Sequence, residues 1–118
     1  EEITSQFNNP NYHYYLLGDA ENFYGIMGFE NHYEENTTKL HRIYITEEGK
    51  GKGLGKEAIL FLKNQILEVG DQRIILNVNK ENPSYHFYLS QGFKVYEEGV
   101  FDIGNGFVMD DYLMEWNA

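Results

Sequence analysis

Between a strand-like run, Leu40 to Ile45, and a helix-like run, Leu54 to Val69, the chain reads Lys50-Gly51-Lys52-Gly53-Leu54-Gly55-Lys56. Nothing else in its 118 residues constrains the fold as tightly. Three alternating glycines strip the Cβ atoms from one side of a tight turn. Its backbone can then reach φ/ψ values closed to other residues and approach a ligand closely. A helix starting at Leu54 leaves its first N–H groups unpaired and points the positive end of its dipole into the loop. Three lysines add mobile positive charge. The combination predicts a socket for an anion, a phosphate or pyrophosphate.

Two common phosphate loops fail on spacing. A Walker loop needs Gly, four residues, then Gly-Lys-Ser/Thr. Here Lys50 stands where the first glycine belongs, and Glu57 follows Lys56. The dinucleotide fingerprint G-x-G-x-x-G begins at Gly51-Lys52-Gly53, but Gly55 comes one residue early, and no βαβ repeat surrounds it. Taken alone, the stretch also reads as a glycine-rich connection with solvated lysines.

The flanking sequence supplies the elements around it. Glu2 to Asn8 reads as the tail of a helix, and Asn8-Asn9-Pro10-Asn11 as a breaker. Strands are expected over His13 to Leu17, Phe23 to His32 and Thr37 to Thr46, the first two joined by Gly18-Asp19-Ala20-Glu21-Asn22. The helix Leu54 to Val69 carries Leu54, Ala58, Leu62, Ile66 and Val69 at core-facing spacing, and Gly70 stops it. A buried strand follows, Arg73 to Val78. Asn82 as N-cap with Pro83 in the first helical position opens a short helix to Gln91. Phe93 to Phe101 and Phe107 to Trp116 close the chain as strands joined by residues 102–106.

The order strand, glycine loop, amphipathic helix, strand, then a helix ending Tyr88-Leu89-Ser90-Gln91-Gly92-Phe93 resembles the GNAT family of N-acetyltransferases. That family's acetyl-CoA loop reads Gln/Arg-x-x-Gly-x-Gly/Ala; Lys50-Gly51-Lys52-Gly53-Leu54-Gly55 fits it, with Lys in the basic first position. Its second signature is an Asn, a short helix, a Tyr and a Gly-Phe four residues later, matched by Asn82, Tyr88, Gly92 and Phe93. The resemblance spans Tyr12 to Trp116. It implies an α/β (α+β) fold with a central mixed, mainly antiparallel sheet, splayed at the acetyl-CoA site and flanked by helices. It implies one N-acetyltransferase domain over 1–118, with family members carrying a first strand and one or two helices before the point where this chain begins. Acetyl-CoA is the implied cosubstrate. Its diphosphate would meet Lys50 to Lys56, its pantetheine arm the free backbone of Ile43, Tyr44 and Ile45, and Asn82 would touch the coenzyme as well as cap its helix. Tyr88 would be the general acid that protonates the coenzyme sulfur, a phenol being neutral at pH 7; the alternative for Tyr88 is a core aromatic with a wet hydroxyl.

Charge bears on the acceptor. All nine Lys and Arg lie between Lys39 and Lys94 with only six acids, a net +3; residues 1–38 carry seven acids and 95–118 six, with no base in either. The acidic flanks argue against a nucleic-acid partner and would draw in a cationic substrate; they equally suit an acidic cytoplasmic protein that stays in solution. No 18-residue apolar run or signal-peptide pattern points to a membrane. There is no cysteine for a disulfide, a thiolate zinc site or an acyl relay. The four histidines, His13, His32, His41 and His86, lack metal-ligand spacing, so no metal is expected. With no nucleophile in view, direct attack in a ternary complex is favoured. For the base, Glu47, Glu48, His41 and a water chain stay open.

Leu40-His41-Arg42-Ile43-Tyr44-Ile45 and the run 104–114 look like the bacterial spermidine/spermine N-acetyltransferase branch. That implies a polyamine or similar small amine, with Asp110 or Asp111 meeting an ammonium; alternation along a strand lets only one of the two face the site. The early aromatics Phe7, Tyr12, Tyr14, Tyr15, Phe23, Tyr24, Phe29 and Tyr33 read as a cation–π wall or as strand residues half in the core. Protein N-terminal or aminoglycoside acetyl transfer, an inactive coenzyme A-binding module and a homodimer remain open.

Overall fold

The computed structural model describes residues 9–19, 21–104 and 107–118, the side chains of 100–103 and 107–109 excepted. The helix tail expected over Glu2 to Asn8, Ala20 of the first connection and Asn105-Gly106 of the last lie outside the described residues. In chain order the elements are β1 (Tyr12–Gly18), β2 (Phe23–Glu34), β3 (Thr37–Ile45), a 3-10 turn (Glu47–Gly49), α1 (Leu54–Glu68), β4 (Arg73–Asn79), α2 (Ser84–Ser90), β5 (Lys94–Gly104) and β6 (Phe107–Asn117). They build one six-stranded sheet in the order β1-β2-β3-β4-β6-β5. Among the described residues only β3 and β4 run parallel; every other pair is antiparallel. This is the mixed, mainly antiparallel sheet with flanking helices that the family resemblance implies. Among the described residues no helix is long and apolar enough to cross a membrane.

β3 and β4 pair only through Thr37–Arg73, Thr38–Ile74 and Lys39–Ile75. From Leu40 onward β3 keeps its hydrogen bonds to β2 alone, while Leu76 to Asn79 pair with β6 on their far side. The expected splay is therefore present, and its local cause is a bulge. Phe29 faces Leu40 and Gly28 faces Arg42, which leaves His41 as the extra residue on β3. Bulges bend a strand and sharpen its twist. This one falls two residues beyond the last β3–β4 pair.

α1 covers one face of the sheet. Its Ala58, Ile59, Leu62 and Ile66 are buried with Met27 and Phe29 of β2, Leu40 of β3, Ile74, Leu76 and Val78 of β4, Phe93 and Met114. Burying a side chain such as Leu62 or Ile66 contributes about 2 kcal/mol. The expected stripe needs two corrections. Val69 stays 38% exposed, because it is the C-cap and its N–H already folds back onto Gln65 and Leu67. Ile59, adjacent to Ala58, is buried in its place. Gly70, at φ +91°, ends the helix in the left-handed region as expected.

The closed end of the splay is held by polar groups. Asp71, 1% exposed, accepts from the Thr38 hydroxyl (2.7 Å), from the His32 backbone N–H (2.9 Å) and from His32 Nδ1 (2.8 Å). Buried Asn31 donates to Thr38 Oγ1 and exchanges hydrogen bonds with Gln65 of α1. His32 adopts a left-handed φ of 56° inside the irregular stretch between Glu30 and Glu34. The network ties β2, β3, α1 and the start of β4 to one carboxylate. Removing that acceptor strands buried donors. Asp71→Ala should lower the unfolding free energy by about 3 kcal/mol, and Thr38→Val by less. Urea titration would register this as a lower midpoint at unchanged slope; a midpoint at the wild-type position would remove the network from the account of the splay.

Candidate active site

The glycine loop is anchored on both sides. Thr46 caps the 3-10 turn by accepting from the Gly49 N–H at 3.2 Å. Gly49 is buried, and a Cβ there would sit 2.8 Å from the Cβ of Tyr24. Gly51 (φ +81°) and Gly53 (φ +75°) turn through left-handed space, with no atom within 4 Å of where a side chain would start. The first intrahelical bond of α1 runs from Glu57 N–H to the Gly53 carbonyl at 3.1 Å. The N–H groups of Leu54, Gly55 and Lys56 thus have no helix partner, and Gly53 offers no side-chain cap. Gly55 has a different task. A Cβ on it would stand 3.1 Å from Cζ of Phe87, so its bareness lets α2 close against the head of α1.

These elements enclose a cavity of about 580 Å³. β3 contributes Ile43, Tyr44 and Ile45, the loop and helix head contribute Lys50, Gly51, Gly53, Leu54, Gly55 and Lys56, and α2 contributes Ser84, Phe87 and Tyr88. Lys50 holds Glu47 at 3.2 Å, an exposed pair of little energetic weight. Lys52 does not line the cavity; its Nζ lies 5.2 Å from the ring centroid of Tyr24. Gly49, Ser84 and Phe87 are the wall residues that the motifs did not single out. Phe87 carried a signal, being the large aromatic before Tyr88 in a helix that must meet a bare glycine.

A second, polar cavity of about 180 Å³ fills the gap between the parted strands, from Leu40–Ile43 of β3 to Leu76–Val78 of β4. Asn82, Ser84 and Tyr88 border it, and Ile43, Ser84 and Tyr88 belong to both cavities. Tyr88 is half-buried, its ring 5.3 Å from that of Phe87 and 5.8 Å from that of Phe93. Burial raises its pKa, so the phenol keeps its proton at neutral pH. Its carbonyl accepts from the N–H of Phe93, which fixes the turn through Gly92 (φ +93°). Asn82 caps α2: its Oδ1 accepts from Ser84 N–H at 2.8 Å and its carbonyl from Tyr85 N–H. Pro83 already has helical φ and ψ.

The remaining candidates separate. Glu47 and Glu48 sit in the 3-10 turn, Glu47 tied to Lys50. His41 lines the polar gap and bonds to Glu30. Asp110 is engaged: Lys80 Nζ lies 3.2 Å from its Oδ1, close enough for an ion pair though not aligned as a hydrogen bond, and 2.6 Å from Glu98. Asp111 is 4% exposed, and its Oδ1 has no hydrogen-bond partner. It lies opposite Asn79 and diagonal to Asn77 on one face of the sheet, a diagonal of about 7–8 Å, and Asn77 borders the gap. Of the aromatics read as a cation–π wall, three already carry cations of the chain itself: Lys39 lies over Tyr33, Arg42 over Tyr14 and Lys52 over Tyr24. Phe7 lies outside the described residues. Among the described residues no three His, Cys, Asp or Glu side chains gather as a metal site requires.

Comparison with known proteins agrees with this geometry. The model of the acetyltransferase (GNAT) family matches residues 1–93. No curated protein sequence matches the chain. Among solved structures, PaiA N-acetyltransferase of Thermoplasma acidophilum, in complex with coenzyme A, aligns with a TM-score of 0.76 at 23% identity, over 99% of this chain and 67% of that one. The spermidine/spermine N-acetyltransferase SpeG of Vibrio cholerae aligns with a TM-score of 0.80 at 23% identity, over 98% of this chain and 70% of that one. A Bacillus subtilis acetyltransferase in complex with CoA gives 0.78 at 15% identity, over 100% and 84%. At such identities the likeness is one of fold.

The two kinds of glycine are separable by mutation. Gly53→Ala should cost about 1 kcal/mol from left-handed strain alone, whether or not Phe87 is present. Gly55→Ala sets a helix-propensity gain of up to about 1 kcal/mol against the Phe87 contact, and should become more stabilising in a Phe87→Leu background. Denaturant melts of the double-mutant cycle measure the coupling; equal coupling of Phe87 to both glycines would contradict this division.

Proposed function

The chain belongs to the acetyltransferase (GNAT) family and is an acetyl-CoA-dependent N-acetyltransferase, and on that premise we propose that it acetylates a primary amine of a small cationic acceptor such as a polyamine, by direct attack in a ternary complex. One observation carries the reading: Tyr88 borders both the cavity at the glycine loop and the gap between β3 and β4. A thioester whose diphosphate rests on the loop would thus have its sulfur end beside a phenol that keeps its proton.

The loop suits the cosubstrate. Gly51 and Gly53 leave the main chain bare on their open sides, and the unpaired N–H groups of Leu54, Gly55 and Lys56 are donors for phosphate oxygens. Lys56, which lines the cavity, adds mobile positive charge, and Lys50 can add its own by leaving the exposed Glu47. Beyond Lys39, the backbone of Ile43, Tyr44 and Ile45 has no partner on the β4 side, so it can pair with the amide groups of the pantetheine arm. Asn82 would border the same arm while capping α2.

The chemistry asks for three things. An amine with a pKa of ~10.4 must become neutral, which costs about 4–5 kcal/mol at pH 7. The carbonyl oxygen must be stabilised as charge develops on it. The departing thiolate must be protonated, and Tyr88 donates that proton, a contribution of ~10²–10⁴ in rate. For the acceptor, Asp111 is the favoured anchor over Asp110, because a buried carboxylate without a partner is costly until it meets a donor, whereas Asp110 already has Lys80. Kinship of fold with a spermidine/spermine N-acetyltransferase is in keeping with a polyamine.

Tyr88→Phe should lower kcat at least tenfold while the dissociation constant for coenzyme A stays nearly constant. Asp111→Asn should raise KM roughly tenfold for a diamine or polyamine and leave that for a monoamine little changed. Thiol release and mass spectrometry over an amine panel give both readouts. Coenzyme binding without acetylation of any amine would identify an inactive binding module instead, and acetylation confined to aminoglycosides or peptide N-termini would redirect the acceptor.

A further inference from the structure

His41 sits where the fold departs from regular strand geometry. It is the extra residue of the β3 bulge, two residues past the point where β3 leaves β4. Its side chain is 24% exposed, and the residue lines the same polar gap that Tyr88 and Asn82 border. Its Nε2 lies 3.1 Å from Oε1 of Glu30, and its ring stacks on Tyr12 at 4.9 Å. An ionised carboxylate only accepts hydrogen bonds. The proton between them therefore belongs to Nε2, which leaves the lone pair of a neutral ring on Nδ1. Glu30 is itself steadied by the Asn9 amide at 3.2 Å.

We propose that His41 is the proton acceptor for the incoming amine, with Glu30 as the positioning residue that fixes its tautomer and ring orientation. The inference rests on the acyl-transfer reading above. The ammonium of the acceptor gives one proton to Nδ1 of His41, directly or through one water. The neutral nitrogen attacks the thioester carbonyl, a C–N bond forms and the C–S bond breaks. Tyr88 supplies the proton to sulfur, and the second proton lost by the nitrogen restores the Tyr88 phenol. The imidazolium then releases its proton to solvent, so one proton leaves per amide formed.

The charged and titratable neighbours are compatible with this. Burial first, then the positive charges of Lys39 and Arg42, lower the pKa of His41, while Glu30 opposes them. The net direction keeps the ring neutral at pH 7, as a base must be. From β1, Tyr12 lies against the ring; its phenol is held neutral chiefly by burial and then by the Tyr14 hydroxyl. Tyr33 of β2 meets the ring edge-on at 6.0 Å. Across the gap stand Asn77, Asn82 and Tyr88, none charged at neutral pH.

The test is the pH dependence of kcat/KM for the full chain with a saturating thioester and the best amine found. The wild-type profile should be flat from below pH 6.5 to near the pKa of the amine. His41→Gln should lose roughly 100-fold at pH 7 and regain about tenfold per pH unit upward, because the amine must now shed its proton unaided. Glu30→Ala should lower kcat with little change in KM, and Glu30→Gln should recover most of it, its amide oxygen still accepting from Nε2. A His41→Gln profile superimposable on that of the wild type overturns the role, as does equal activity of Glu30→Ala and the wild type. A wild-type protein that acetylates no amine overturns the acyl-transfer reading and this role with it.

Discussion

The parting of β3 from β4 after Lys39 is the constraint on which the rest of this molecule depends. A strand in mid-sheet that loses one neighbour exposes a row of unpaired N–H and C=O groups, an edge where there should be none. Here the bulge at His41 bends the strand away on one side, and the carboxylate of Asp71 holds the strands together at the other end. The two devices do opposite work a few residues apart. Asp71 and Thr38 pin the closed end of the wedge together with the three β3–β4 pairs and the Gln72 N–H bond to the Asn36 carbonyl. The extra residue bends β3 just past the point where its pairing with β4 stops. The wedge also explains why the parallel β3–β4 pair is so short, since the α1 crossover that makes the two strands parallel also puts the glycine loop at the open end.

The helices are set by small residues rather than large ones. Gly53 turns the chain into α1 without a side-chain cap, and Gly55 lets Phe87 of α2 rest on the first turn. Tyr88 is next in sequence to Phe87, so the contact that docks α2 also aims Tyr88 at the junction of the two cavities. Asn82 starts α2 and Gly92 ends it, returning Phe93 to the core beneath. The spacing from Asn82 to Phe93 is thus the length of one short helix docked by its aromatic face. That is why the Asn, Tyr and Gly-Phe of the sequence signature come as a set.

Much of this is legible in the sequence because it is local. Strand alternation, the glycines, the Asn82-Pro83 start and the Gly70 stop are read from neighbours in the chain, and the elements fall within a few residues of expectation. What escaped is non-local. The bulge at His41 depends on where β2 and β3 register, and alternation cannot reveal it. Burial of Ile59 depends on how the first turns of α1 lie against the sheet, and exposure of Val69 on where the helix ends. Parity along β6 says that Asp110 and Asp111 part company, but which one remains unpaired is decided by Lys80, which reaches in from the end of β4. The aromatics of β1, β2 and their surroundings show the same limit. Their cations, Lys39, Arg42 and Lys52, come from β3 and the loop.

Charge makes the point most fully. The basic window of the sequence builds β3, the loop, α1, β4 and α2, the middle of the sheet order, while the acidic flanks build β1 with β2 and β5 with β6, its two margins. Segregation along the chain therefore becomes segregation in space. Yet most of the central bases are spent within the fold. Arg73 meets Glu115 and Glu34, Lys80 meets Glu98 and Asp110, and Lys63 donates to the Gln91 carbonyl over the ring of Trp116. Lys50 faces Glu47, and Lys52 leans on Tyr24. Of the loop lysines that line the larger cavity, Lys56 is the one whose charge is not shared with a described acid. On the proposed reading, attraction of the cosubstrate's phosphates to this cavity would rest on the unpaired N–H groups at the head of α1 more than on net charge. Such groups act at contact range and lose little to added salt, whereas solvent-exposed lysines are screened within about 8–10 Å. A site built this way selects a ligand by the shape its phosphates present to the backbone, which suits a diphosphate carried on a long neutral arm.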